Sequence, residues 1–201
     1  NNIGVWLAPA LNIHRHPLCG RNFEYYSEDP FITGKIGAAT VEGVQSVNIA
    51  ATIKHFACNN KETNRKNSDS RLSERALREI YLKGFEIAIR ESDPWALMTS
   101  YNSVNGKFTQ QNYDLVTTVL RDEWGFDGMV MTDWGFKEGT PYIVKSGNDL
   151  LQPGNQTEME RILAAAKDGT IKMEEIDRNV TRILEYVVKT PRFNGKSYNH
   201  D

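Results

Sequence analysis

Charged and aromatic side chains follow four apolar segments of this sequence, at the point where each segment ends. The segments are "WLAP", "AATI", "WALM" and "GMVM", and each is typical of a buried strand. Because the carboxyl ends of parallel strands face a common opening, the polar residues that follow are expected to line one cavity. These candidate residues are Asn12, His14, Arg15, Arg21, Glu24, Lys54, His55, Ser100, Tyr101, Asp133 and Trp134.

The residue types in this set favour a sugar as the ligand. Arginine, lysine, histidine and aspartate make charge-assisted hydrogen bonds to hydroxyl groups, and Trp134 offers a flat face to the C–H side of a ring. The sequence contains no GxxxxGK[ST] or GxGxxG phosphate loop, no H-E-x-x-H motif and no paired cysteines with metal-ligand spacing. It therefore predicts neither a cofactor nor a metal.

Each candidate residue also has a purely structural interpretation. Arg21 and Glu24 fit an ion pair that orders their loop, Tyr101 fits a core aromatic residue, and Asp133 fits a turn cap. The structural interpretation is weaker for the set as a whole, because independent coincidences would have to fall at the same end of four strands.

Apolar segments alternate with amphipathic helices along the whole chain. The predicted strands lie in "GVWLAPALNI", "IAATIKHFA", "WALMTSYN", "GMVMTDWG" and "NDLLQPG". Asp29 before Pro30, and Ser73, are predicted to begin two of the intervening helices. Nearly continuous apolar strands between helices indicate an α/β fold with a parallel sheet covered by helices.

The length of the chain limits the architecture. A (β/α)8 TIM-type barrel usually needs about 250 residues. Five strand and helix units in 201 residues therefore predict an incomplete barrel that lacks its opening strands. An open doubly wound sheet is the alternative, and no linker or internal repeat divides the chain.

Charge and composition exclude several classes of partner. Lys and Arg total 24 against 26 for Asp and Glu, for a net charge of -2, and the basic residues are dispersed, which argues against nucleic acid. No apolar run approaches the roughly 20 residues that cross a bilayer, so no membrane partner is expected. Cys19 and Cys58 are expected to be free thiols, which leaves the cellular compartment open.

Six sequence blocks, taken in order, resemble glycoside hydrolase family 3 of the β-glucosidase type. The blocks are "GRNFEYYSEDP", "KHFACNNKETNR", "SRLSERALREIYLKGFE", "MTSYNSVNG", "LRDEWGFDGMVMTDWG" and "SGNDLLQPG". The resemblance implies that residues 1–188 are part of an N-terminal (β/α) barrel domain. It also implies that residues 189–201 begin a linker to an absent α/β sandwich domain.

The resemblance assigns roles to individual residues. Asp133 is expected to be the nucleophile of a retaining glycosidase, and Tyr101 is expected to keep it ionised and oriented. Trp134 would flank the leaving group. The implied substrate-binding residues are Arg21, Lys54, His55, Met98, Tyr101 and Trp134, and the implied supporting residues are Glu24, Glu62, Asn64 and Arg65.

Two parts of the family's site are not identifiable in this sequence. One is an aspartate from an early barrel loop, and the other is the acid/base carboxylate, which the β-glucosidase type takes from its second domain. A missing second domain is therefore the expected partner, and the isolated chain is expected not to turn over unactivated glycosides. The family's β-N-acetylhexosaminidase branch is disfavoured because "DS" at Asp69 and Ser70 is followed by Arg71 where that branch has its catalytic histidine.

The implied substrate is a β-glucoside or a β-linked oligosaccharide. Two alternatives remain at this point. One is a β-xylosidase or arabinosidase of the same family, and the other is a carbohydrate-binding barrel that has lost its chemistry.

Overall fold

A parallel β-sheet covered by helices forms the centre of the protein in the computed structural model, which describes residues 3–135 and 139–195. The strands are β1 (Val5–Trp6), β2 (Ala50–Phe56), β3 (Asp69–Ser70), β4 (Ala96–Thr99), β5 (Ser103–Val104), β6 (Lys107–Phe108) and β7 (Met129–Met131). The main sheet has the order β1-β2-β4-β7 with parallel neighbours, whereas β3, β5 and β6 form a small separate sheet. The prediction of parallel strands with outer helices is confirmed.

The two outer segments of the main sheet are shorter than the sequence predicts. β1 is extended only by a single bridge between Ala10 and Lys54, and the predicted strand "NDLLQPG" is reduced to a bridge between Leu150 and Met131. Both segments contain a proline, which has no N–H to donate to a neighbouring strand. The five predicted segments thus lie side by side in chain order, and among the described residues they do not close into a barrel.

The helices follow the strands as the periodicity predicts. They are α1 (Pro30–Gln45), α2 (Glu74–Ala76), α3 (Lys83–Ser92), α4 (Thr140–Ser146), α5 (Gln156–Lys167) and α6 (Met173–Lys189), with π-helical segments at Leu77–Tyr81 and Asp114–Glu123. Asp29 caps α1 by accepting from the backbone N–H groups of Phe31 and Ile32, and Ser73 caps α2 by accepting from that of Ala76. Both predicted caps are confirmed.

Helix α1 packs on α3 through its small residues. Ile32 and Ile36 each remain 44% exposed, whereas Gly34, Gly37 and Ala38 are buried. A Cβ at Gly34 would lie 2.7 Å from the Cβ of Ile87 and 3.0 Å from the carbonyl oxygen of Gly84. The close approach of the two helices therefore requires glycine at this position.

Replacing Gly34 with alanine is expected to destabilise the protein by about 1–3 kcal/mol, because the backbone of α3 would have to move. Gly43 provides a matched control in the same helix, since a Cβ at that position would meet no heavy atom of another segment within 4 Å. Gly43→Ala is expected to stabilise the protein by about 0.5–1 kcal/mol through helix propensity. Urea unfolding measures both, and equal signs for the two variants would contradict this packing.

A buried cluster of charges anchors β7. The side chain of Asp149 has 0% exposure, and its Oδ2 accepts from Arg121 Nη2 at 2.8 Å and from the backbone N–H of Val130 at 2.8 Å. Its Oδ1 accepts from Arg182 at 3.3 Å. Burial raises the pKa of Asp149, against the attraction of Arg121, and lowers the pKa of Arg121 to about 10. Arg121 therefore stays charged at neutral pH and keeps Asp149 paired.

Within the described ranges, no helix is both long enough and apolar enough to span a bilayer. Of the predicted linker, residues 189–201, the described part contains the last residue of α6 and a turn through residue 195. Residues 196–201 lie outside the described residues. The proposed domain boundary at residue 188 thus stays a prediction.

Candidate active site

The loops that follow β1, β2, β4 and β7 bring most of the predicted residues to one end of the sheet. Asp133 Oδ2 lies 3.8 Å from His55 Nε2, although the two residues belong to different strand ends. The hydroxyl of Tyr101 contacts the backbone of Trp134. Glu24, from the loop after β1, pairs with Lys54 at the end of β2. A common site at the carboxyl ends of these strands is what the sequence predicts.

Asp133 is a largely buried carboxylate with a side-chain exposure of 13%. Burial is the largest influence and raises its pKa above the usual aspartate value. The nearby Tyr101 hydroxyl and the positive charges of Arg65, Arg21 and Lys54 act in the opposite direction and lower the pKa. The cations therefore favour the ionised form of the Asp133 carboxylate.

His55 faces this carboxylate as a neutral imidazole. Its side chain is 2% exposed, and burial lowers its pKa well below 6.5. The charges of Arg21 and Lys54 lower the pKa further. A neutral ring at 3.8 Å from Asp133 makes no ion pair, and the distance exceeds that of a hydrogen bond. His55 can therefore offer a neutral donor or acceptor to a ligand between the two groups.

Glu24 holds two of the predicted sugar-binding cations together. Its Oε1 accepts a short hydrogen bond from Arg21 Nε, and its Oε2 lies 3.2 Å from Lys54 Nζ. All three side chains are at most 20% exposed. Glu24 therefore fixes the relative position of one donor from the loop after β1 and one from the end of β2.

Tyr101 lies in the loop after β4 and contacts residues of the loops after β2 and β7. Its hydroxyl donates to the carbonyl oxygen of Trp134 and accepts from the Trp134 N–H at 3.2 Å. The guanidinium carbon of Arg65 lies 4.8 Å from its ring centroid, and Lys66 Nζ lies 4.7 Å from it. Burial, and then the charge of Asp133, raise the pKa of Tyr101, so its hydroxyl stays protonated.

The predicted supporting residues divide into two groups. Glu62 accepts from Arg65 Nη1 at 3.0 Å and from Asn59 Nδ2 at 3.2 Å, so it positions Arg65 at the Tyr101 ring. Asn64 instead adopts a left-handed conformation with φ 54° and accepts from Asn67, which orders the local turn. Arg65 thus contacts the Tyr101 ring and also acts electrostatically on the Asp133 carboxylate.

Several candidate residues, whose only distinction in the sequence is that they follow a strand, make contacts that stabilise the local fold. Asn12 exchanges hydrogen bonds with the backbone N–H and carbonyl group of His55, which fixes the end of β2. Ser100 is buried and donates to the carbonyl oxygen of Ala57. Arg15 is exposed and contacts the Tyr81 hydroxyl at 3.0 Å. For these residues the structural interpretation is the one that the contacts support.

The apolar candidates differ in exposure. Met98 is 3% exposed and packs with Met129 and Met131, whereas Trp134 is 40% exposed. The role of both as pocket walls stays a prediction. Across residues 3–135 and 139–195, no group of three or more His, Cys, Asp or Glu side chains is arranged to hold a metal ion.

The described residues thus bring a carboxylate, cations and aromatic rings together at the carboxyl ends of the parallel strands. The sequence of residues 1–186 matches the family model described as glycosyl hydrolase family 3 N terminal domain. The chain therefore belongs to glycosyl hydrolase family 3, a family of glycoside hydrolases with a TIM-barrel-like N-terminal domain.

Similar proteins are much longer than this chain. Beta-glucosidase A of Butyrivibrio fibrisolvens is 55% identical over 178 residues, which is 88% of this chain and 21% of that protein. An exo-alpha-(1->6)-L-arabinopyranosidase of Bifidobacterium longum is 46% identical over 94% of this chain and 25% of that protein. The structure of beta-glucosidase 3B from Thermotoga neapolitana in complex with alpha-D-glucose has a TM-score of 0.95 at 50% identity, covering 98% of this chain and 29% of that one.

Proposed function

We propose that the complete protein containing this chain removes terminal, non-reducing β-D-glucosyl residues from β-glucosides by a retaining double displacement. The observation that carries the proposal is the position of Asp133, a carboxylate fixed at the end of β7 and surrounded by cations from two other loops. Relatives at 46–55% identity that bear the name beta-glucosidase support the choice of sugar.

In the first step of the proposed reaction, an Oδ atom of Asp133 attacks the anomeric carbon while the bond to the leaving oxygen breaks. The leaving oxygen takes a proton from a carboxylic acid in another part of the complete protein. In the second step, that carboxylate removes a proton from water, and the water oxygen displaces Asp133 from the same carbon. Two inversions return the original β configuration.

The other site residues would act through the sugar hydroxyls and the nucleophile. Arg21 and Lys54 supply charged donors whose hydrogen bonds to hydroxyl groups strengthen as positive charge develops on the ring. His55 adds a neutral partner, and Tyr101 holds the backbone at Trp134, directly after the nucleophile. Met98 and Trp134 would form apolar walls of the pocket, with Trp134 beside the leaving group.

The second carboxyl group is proposed to come from a second domain of the same polypeptide. The chain spans only 21–29% of the relatives described above, which leaves room for such a domain. Without that group the isolated chain would attack only glycosides with good leaving groups. In this proposal, residues 1–188 are part of the barrel domain.

A pentopyranosidase is the second candidate function. The arabinopyranosidase of Bifidobacterium longum is 46% identical to this chain, close to several beta-glucosidases. A pentopyranose lacks the hydroxymethyl group of glucose, so the two substrates differ at one position of the ring. The ratio of kcat/KM for 4-nitrophenyl β-D-glucoside to that for the α-L-arabinopyranoside and β-D-xyloside distinguishes the candidates.

Trapping the covalent intermediate tests the proposed function directly. A 2-deoxy-2-fluoro-β-D-glucoside with a good leaving group is expected to label the complete protein at Asp133, because the fluorine slows both steps while the good leaving group restores the rate of the first. Mass spectrometry of the tryptic peptide 122–137 locates the label. A label on a different residue would refute the nucleophile, and absence of labelling would favour the non-catalytic barrel.

A further inference from the structure

One lysine joins the loop after β2 to the residues that directly follow the nucleophile. Lys66 Nζ lies 3.4 Å from the carbonyl oxygen of Trp134 and 3.3 Å from that of Gly135, 68 and 69 positions further along the chain. The same ammonium group lies 4.7 Å from the centroid of the Tyr101 ring. Lys66 therefore contacts both the backbone after Asp133 and the residue that orients it.

The backbone at residues 134 and 135 is held by contacts from three separate segments. The N–H of Gly135 donates to the carbonyl oxygen of Gln152 at 3.0 Å, and Tyr101 donates to the carbonyl oxygen of Trp134. Gly135 has a φ of +69°, a left-handed conformation that glycine adopts without strain. Lys66 supplies the third contact, because its ammonium group donates to the carbonyl oxygen of Gly135.

The surroundings of Lys66 argue against a role in overall stability. The side chain is exposed, and no ion pair joins it to a carboxylate in the described ranges. Exposed cation–π contacts stabilise a fold by only about 0.5–1 kcal/mol. A displacement of about 1 Å at a reacting group can nevertheless cost about 100-fold in rate. The contacts of Lys66 therefore matter more for geometry at Asp133 than for folding.

We propose that Lys66 is a positioning residue for the reaction proposed above. Its ammonium group holds the carbonyl groups of Trp134 and Gly135 against the Tyr101 ring. This fixes the direction in which the Asp133 carboxylate and the Trp134 side chain leave the backbone. Arg21 and Lys54, which would bind the sugar, are held separately by their shared partner Glu24.

Lys66→Met tests this role because methionine keeps much of the length and apolar contact of the side chain but donates no hydrogen bond. In the complete protein, the rate of inactivation by the 2-fluoro glucoside and kcat for an aryl β-glucoside are expected to fall about 10-fold. The inhibition constant of glucose is expected to stay within about twofold, because Arg21 and Lys54 are unchanged. Lys66→Arg, which keeps charge and donors, is expected to recover most of the rate.

Lys61→Met is the matched control. Lys61 is an exposed lysine of the same loop, and within the described part of the chain it makes no contact with Tyr101 or with residues 134 and 135. Its rate is expected to equal that of the wild type. If Lys66→Met is inactivated at the wild-type rate, or if it loses glucose affinity and thermal stability in the same proportion as kcat, the positioning role is wrong. If the wild type itself is not labelled, the proposed function fails and this role fails with it.

Discussion

Replacement of Asp133 by alanine in the complete protein is expected to lower kcat by about 10⁴-fold or more, since the covalent intermediate can no longer form. The folded state should not suffer. Burial raises the pKa of Asp133, which means that its ionised form destabilises the folded protein at pH values above its unfolded pKa. Removing the carboxylate is therefore expected to leave the thermal midpoint at neutral pH unchanged or slightly higher.

Azide rescue distinguishes loss of the nucleophile from loss of the site. In Asp133→Ala, azide can enter the space left by the carboxylate and attack the anomeric carbon of an activated aryl β-glucoside as the phenolate leaves. The expected product is the α-glucosyl azide, because only one inversion takes place. Asp122→Ala, which changes an exposed aspartate on the preceding helix, is the control with wild-type activity. A rescued product with β configuration, or retained hydrolysis, would contradict the assignment of Asp133.

Replacement of Asp149 by alanine is expected to destabilise the protein by about 3–5 kcal/mol, because it leaves a buried guanidinium without its counter-charge. Arg121 is only 6% exposed at its side chain and would lose its carboxylate partner at 2.8 Å. The backbone N–H of Val130, in the strand that leads to Asp133, would lose its acceptor as well. Urea unfolding of the complete protein gives the change in the free energy of unfolding.

The double variant Arg121→Leu/Asp149→Leu separates the cost of an unpaired charge from the value of the pair. Replacing both partners of a buried ion pair by apolar residues is often neutral, so the double variant is expected to be more stable than Asp149→Ala. Arg121 also donates to the carbonyl oxygens of Phe126 and Gly128, which limits the recovery. A loss below about 1 kcal/mol for Asp149→Ala would show that the cluster does not anchor β7.

The sequence is informative where the determining interaction is local. The caps at Asp29 and Ser73 depend on residues within one turn of each other. The common strand-end site is also predictable, because parallel strands place their following loops at one end of the sheet. These features agree with the structure.

The remaining features depend on contacts between distant segments. Nothing local indicates that Ile32 and Ile36 are exposed while Gly34 packs on α3, since that depends on how closely two helices approach. The contact of Lys66 with Trp134 spans 68 positions and has no motif. Asp149 resembles an ordinary residue at the start of a predicted strand, and only its three-dimensional neighbours make it part of a buried charge cluster.

The pairing of Glu24 with both Arg21 and Lys54 has a consequence for protein engineering. If a library varies only Arg21 or only Lys54, the remaining cation keeps its ion pair with Glu24. The effect of a substitution at one position then depends on the residue at the other, so the effects of single substitutions would not add. Selection for a new sugar preference would then miss substitutions that act only in combination with a change at the other position. Varying Arg21, Glu24 and Lys54 together avoids this loss.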